Sequence, residues 1–202
     1  MDSLRNVTRT IVAAAILIAV LVTALDVASR APLNPFNFFG YFTVQSNLLL
    51  AGALIWSVAD RRRRRGDVLA YVRAATTDYI VIVGIVYAAL LAPLGQAGGV
   101  PVPWANVVLH IVTPLYGALD WLIFPDRPPL RWSALWTVLI YPAVWLAVVL
   151  IRGATDGWVP YPFLDPGNGY GTIAVVAAGI TVAVILVGAA VYAASRVRLF
   201  SR

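Results

Sequence analysis

An all-α integral membrane bundle of six transmembrane helices, with both termini cytoplasmic, is the fold class this sequence predicts. Three observations predict it. The 202-residue chain is 61% hydrophobic and 12% charged, with a mean hydropathy of +0.84, far from the balance of a soluble domain. Apolar runs of about 20 residues recur, each long enough to cross a hydrocarbon layer roughly 30 Å thick. Positive charge is confined to alternate ends of those runs: all fifteen basic residues are Arg. Arg5, Arg9, Arg61 to Arg65, Arg73, Arg127, Arg131, Arg196, Arg198 and Arg202 fall on one side, against Arg30 and Arg152 on the other. That asymmetry places the N-terminus in the cytoplasm.

Six spans follow in order: Ile11–Ala28, Phe38–Ala59, Tyr71–Leu91, Trp104–Phe124, Trp132–Ile151 and Tyr170–Ala194. The first ends in Asp26 and Arg30 without a small-residue cleavage site, so it reads as a retained helix rather than a secretory signal. Short loops leave a single transmembrane domain, 1–202, expected to be a multi-pass protein of the cell membrane. The pI near 10 is accounted for by topology and needs no nucleic acid. The Arg61–Arg65 run reads first as a stop-transfer signal and second as a contact for anionic lipid heads. With no Cys and one His, disulfides, thiol redox chemistry and multi-His or thiolate metal sites are excluded, and no cofactor is expected.

The outer loops are Leu94–Pro103, rich in Gly and Pro, and Arg152–Gly169. The second reads RGATDGWVPYPFLDPGNG. Its Trp158, Tyr161 and Phe163 suit an interfacial anchor or a cap over an opening on the outer face, the anchor being slightly favoured and the two compatible.

Polar residues within the spans are the candidates for chemistry. Span four carries Asn106, His110, Thr113, Gly117 and Asp120 at spacings of four, three, four and three, a single stripe that should face the bundle interior. Pro114 cannot donate to the His110 carbonyl, which predicts a kink with a free backbone acceptor there. In span two, Thr43 and Asn47 share a face, Ser46 lies beside them, and Gln45 points to a different helix. Thr43 and His110 lie at matching depths, about 8–9 Å below the outer boundary. A hydroxyl within reach of an imidazole is the minimum for nucleophilic acyl transfer, with Asn47, Asn106, Ser46 or the kinked backbone as candidate oxyanion donors. On spacing alone a structural polar network ranks ahead of it.

A second polar layer, Asp78 and Asp120, lies toward the inner side. These carboxylates should pair with Arg9, Arg73, Arg127 or Arg131; a proton or ion pathway is the sharper alternative. Asp120 is about 15 Å along the axis from His110, and Asp26 and Asp165 are better placed to approach the ring.

The runs FNFFGYFTVQSNLLL, LHIVTPLYGALDWLIF and RGATDGWVPYPFLDP resemble a bacterial family of small six-span proteins, Pr-six-Pr. That family is similar, more distantly, to the eukaryotic androgen-induced-gene family of intramembrane threonine hydrolases. The resemblance implies cleavage of fatty acid esters of hydroxy fatty acids, with Thr43 as nucleophile and His110 as base in the outer half of the bilayer, and lipid esters and membrane lipids as partners. It raises the hydrolase above the structural network. The competing reading is a small transporter or ion-coupled permease using Asp78 and Asp120, and a non-catalytic membrane role stands behind both. No GxSG stretch points to a rhomboid-like protease, and a haem protein would want more than one His.

Overall fold

The computed structural model describes residues 2–60 and 66–197; Arg61 to Arg65, Arg198 and Arg202 lie outside the described residues. It is an all-α bundle, with six helices long and apolar enough to cross a membrane: Ser3–Arg30, Phe42–Ala59, Val68–Gly95, Pro103–Ile123, Trp132–Thr155 and Tyr170–Ala194. No strand occurs among the described residues.

Helix α1 (Asp2–Arg30) begins at Asp2 rather than Ile11. Arg5 and Arg9 interrupt the apolar run in the sequence but not the helix, because Arg9 is neutralised inside the bundle. The second span is shorter than expected. Asn34 caps a separate turn, α2 (Pro35–Phe38), by accepting from the Phe36 and Asn37 amides, with Pro35 at its first position. The chain then breaks at Phe39–Tyr41, and α3 runs from Phe42 to Ala59. Gly40 sits under the Trp158 indole, which leaves no room for a Cβ, and its carbonyl accepts from Trp145 Nε1 at 2.8 Å. Thr43 is therefore in the first turn of α3, where backbone amides have no helical acceptor, and not a turn and a half into a longer helix.

Helix α4 (Gly66–Val86) continues through a π-helical turn, Tyr87–Leu91, into a 3-10 segment, Ala92–Gly98. The fourth span joins α5 (Pro103–Val107), a second π turn (Val108–Val112) and α6 (Thr113–Ile123). The fifth opens as a 3-10 segment, Trp132–Leu139, and continues as α7 (Ile140–Thr155), beyond Ile151. Helix α8 spans Tyr170–Ala194 as the hydropathy predicts.

Helix α4 is central, packing on α3, α6 and α8. Small residues set the α4–α6 approach: a Cβ on Gly84 would lie 2.8 Å from Pro114 Cβ, and one on Gly117 would lie 2.7 Å from Ile80 Cγ2. A methyl there would force the helices apart.

At the Arg9 end, a closed ion network ties α1, α4 and α6 together. Arg9 bonds Asp120 through Nε at 2.8 Å and Asp126 through a terminal nitrogen at 2.6 Å; Arg73 bonds the same two carboxylates at 2.9 and 2.8 Å. Arg5 Nε also lies 3.6 Å from Asp126, so three arginines surround the two carboxylates, and pairing of this kind is the condition under which buried charge is tolerated. Asp120 thus pairs with two of its four candidate partners. Arg127 instead lies over the Trp121 ring, 4.0 Å from its centroid, and donates to the carbonyls of Phe124 and Ala194. Arg131 meets Tyr71 through its backbone amide. Asp78 departs from expectation: it is fully buried, and neither carboxylate oxygen has a partner among the described residues.

Candidate active site

The site is built on two irregular backbones facing each other. In the π turn of span four the Thr113 amide donates to Val108 O, five residues back. In that register the acceptor matched to Pro114 is the Leu109 carbonyl, and Pro114 has no N–H to give it. Asn47 Nδ2 donates to Leu109 O at 3.1 Å and Thr113 Oγ1 reaches it at 3.2 Å. The sequence predicted a kink with a stranded carbonyl at His110; the π register moves the stranded carbonyl one residue back, to Leu109. Asn47 also donates to Thr43 O at 2.9 Å and accepts from Thr113 Oγ1 at 2.7 Å, so one side chain clamps α3 onto the π turn.

That clamp brings Thr43 Oγ1 to 3.3 Å from His110 Nε2. Thr43 is 6% and His110 4% exposed, so the pair is shielded from bulk water. The other ring nitrogen, Nδ1, lies 3.2 Å from Asn106 O. A carbonyl only accepts, so Nδ1 carries the proton and Nε2 presents a lone pair. The Thr43 hydroxyl must then donate to Nε2. Tyr161 Oη lies 3.3 Å from Thr43 Oγ1 and accepts from the Thr43 amide at 3.2 Å. With the threonine proton committed to His110, the Tyr161 hydroxyl donates to Thr43 Oγ1. A single backbone carbonyl thus sets the direction of every hydrogen bond in the chain Tyr161–Thr43–His110–Asn106.

Tyr87, on the π turn of span three, stacks on the His110 ring with centroids 4.3 Å apart and planes at 23°. Its hydroxyl accepts from Asn106 Nδ2 at 2.7 Å, while Asn106 Oδ1 accepts from the Val100 amide. The two π turns share a register: the Ala92 amide donates to Tyr87 O as that of Thr113 does to Val108 O, and Pro93 follows as Pro114 does. Tyr87 was not among the candidate residues. Its signal was Pro93, six residues on, the same offset as from Val108 to Pro114.

The remaining candidates divide. Both Asn47 amide protons are spent on carbonyls and the Asn106 side chain is engaged with Tyr87 and Val100, so neither donates toward the Thr43 hydroxyl as the oxyanion reading required. Ser46 is buried on α3, but its hydroxyl makes no hydrogen bond to Thr43 or His110. Gln45 points to another helix, accepting from Tyr141 Oη at 2.6 Å and donating to Phe39 O. Asp26 pairs with Arg30 and Asp165 caps the Gly167 amide, so neither approaches the ring. The loop rings turn inward. Trp158 packs edge-on to Tyr41 beneath Arg152, and Tyr161 is buried, stacked on Phe163 with centroids 5.3 Å apart. They cover the Thr43 end of the bundle.

A cavity of about 270 Å³ opens beside Thr43 and Tyr161 and runs along α4, α7 and α8 between apolar side chains including Trp145, Phe163, Ile180 and Val184. It is larger than the roughly 150 Å³ apolar cavity known to take up benzene. Among the described lining residues, Thr181 Oγ1 and Trp145 Nε1 donate to the backbone carbonyls of Ala177 and Gly40. Ala143 on α7 and Thr181 on α8 both line the cavity and are exposed on the bundle surface, so it opens sideways between these helices, toward lipid. No family model, curated protein or solved structure matches the chain.

Proposed function

We propose that this protein is an intramembrane hydrolase of lipid esters, with Thr43 as nucleophile and His110 as general base and acid. The observation that carries the proposal is the directed pair itself: a buried hydroxyl donating to an imidazole whose far nitrogen is locked as the donor by Asn106 O. A nucleophile, a base and a group orienting the base are the elements of covalent acyl transfer. Here the orienting group is a backbone carbonyl rather than a carboxylate.

The cavity supports an acyl chain as the bound group, since it is apolar and reaches the Thr43 hydroxyl at one end. An ester diffusing in the bilayer would pass between α7 and α8. Thr43 Oγ1 attacks the acyl carbon while its proton passes to His110 Nε2. Collapse of the adduct returns that proton to the departing alcohol and leaves the acyl group on Thr43. Water, deprotonated by the same nitrogen, then releases the fatty acid and restores the hydroxyl. The arginine asymmetry favours a cell-membrane protein with this site in the outer half of the bilayer. The resemblance carried by YFTVQSN and LHIVTP favours fatty acid esters of hydroxy fatty acids as substrates.

Transport by Asp78 and Asp120 is less well supported. Arg9 and Arg73 both hold Asp120, and Asp78 does not line the apolar cavity. Purified protein assayed on lipid esters tests the proposal: Thr43→Ala and His110→Ala should each abolish hydrolysis without changing Tm by more than a few degrees. Full activity in both variants would refute it.

A further inference from the structure

We infer that Tyr161 is a catalytic residue, the hydroxyl that stabilises the oxyanion formed when Thr43 attacks an ester. This rests on the hydrolase reading above. The reaction needs donors aimed at the oxygen where charge develops; both Asn47 N–H groups are spent on carbonyls, and the Asn106 side chain makes no hydrogen bond to Thr43. Tyr161 Oη lies within 3.3 Å of both Oγ1 and the backbone nitrogen of Thr43.

The hydrogen-bond directions explain how it would act. In the resting protein the Tyr161 proton is directed at Thr43 Oγ1. As Oγ1 bonds the acyl carbon, its lone pair is consumed and the carbonyl π pair moves onto the substrate oxygen, which is attached to the same carbon. The phenol proton turns from Oγ1 to that oxygen. The Thr43 amide, in the first turn of α3, donates to Tyr161 Oη and so holds the phenol beside Thr43 Oγ1, and the helix N-terminus favours negative charge there. No proton leaves Tyr161: it donates a hydrogen bond during attack and recovers its original acceptor when the product departs. Burial pushes the phenol up to about 12, against the opposing effect of its bonds to Thr43, so it stays protonated at neutral pH. The ring is held by Phe163, Tyr41 and Trp145, and the donor is therefore in place before substrate arrives.

The test uses full-length protein in nanodiscs with p-nitrophenyl octanoate as probe. Tyr161→Phe keeps the ring packing and should lower kcat by roughly 10²- to 10³-fold, the usual loss of one oxyanion donor, with KM changed less than about threefold. A second readout separates catalysis from positioning. Octyl trifluoromethyl ketone forms a tetrahedral oxyanion on the nucleophile, and its affinity should fall by a similar factor, while that of octyl methyl ketone is unchanged. Tyr161→Phe with kcat and trifluoromethyl ketone affinity near wild type, alongside an inactive Thr43→Ala, would overturn the role of Tyr161 and leave the hydrolase reading standing. Wild-type activity in Thr43→Ala would overturn both.

Discussion

The His110 ring is held on three sides: Thr43 at one nitrogen, the Asn106 carbonyl at the other, and the Tyr87 face stacked on it. In the proposed reaction the ring gains a proton, and an aromatic face opposite an imidazolium is worth about 0.5–2 kcal/mol. Replacing Tyr87 with Leu removes that face, so kcat for ester hydrolysis should fall about 3- to 30-fold. Tyr87→Phe keeps the face, loses only the bond to Asn106, and should cost less. Equal losses in the two variants would assign Tyr87 to holding Asn106 rather than to the ring.

At the scale of elements, the candidate site residues are concentrated where regular helix fails. The break at Phe39–Tyr41 places Thr43 in a first turn, where its amide donates to Tyr161 rather than within the helix, and two π turns present Tyr87 and His110 to each other. Pro114 made one irregularity legible in the sequence, and the stripe from Asn106 to Asp120 gave its inward face. The break before Thr43 was not legible, because Asn37 and Gly40 in FNFFGYF do not by themselves end an apolar span, and the packing of Trp158 over Gly40 is what interrupts it. The role of Tyr161 was hidden for a related reason. An aromatic residue in a loop beside a membrane reads as an anchor, and only the chain reversal after α7 turns it onto Thr43. Helices α7 and α8 flank the sideways opening of the cavity, and Ala177 lies on its wall. Ala177→Trp should fill it, cutting hydrolysis of p-nitrophenyl palmitate at least tenfold while sparing p-nitrophenyl acetate. Equal loss on both esters would show that the opening does not carry the acyl chain.

Across the whole molecule, polarity separates into two ends. Apolar spans and the arginine pattern were enough to predict six helices, since each is dictated locally by hydropathy. The ion network could be read only in part: Arg9 and Arg73 were two of four arginines offered to Asp120, and Asp126 lies in a connecting segment with no helical spacing to mark it. Burial by itself would raise the Asp126 carboxyl, yet bonds and charge from Arg9 and Arg73 outweigh it and hold the group well below the usual carboxylate range. A depressed value means stability that is complete above about pH 4 and lost as pH falls through the folded value. Asp126→Asn should therefore cost about 3 kcal/mol at pH 7, measured by thermal unfolding in detergent, with the gap to wild type closing in stronger acid. A gap that stays constant down to pH 2 would show that the charge of Asp126 contributes nothing.

The most direct test of a threonine nucleophile is the mass of the acyl-enzyme. Protein mixed with p-nitrophenyl octanoate, quenched in acid and mapped by peptide mass spectrometry should carry one octanoyl group on Thr43, absent from His110→Ala. Ester turnover with Thr43 unmodified, and undiminished in Thr43→Ala, would contradict the account.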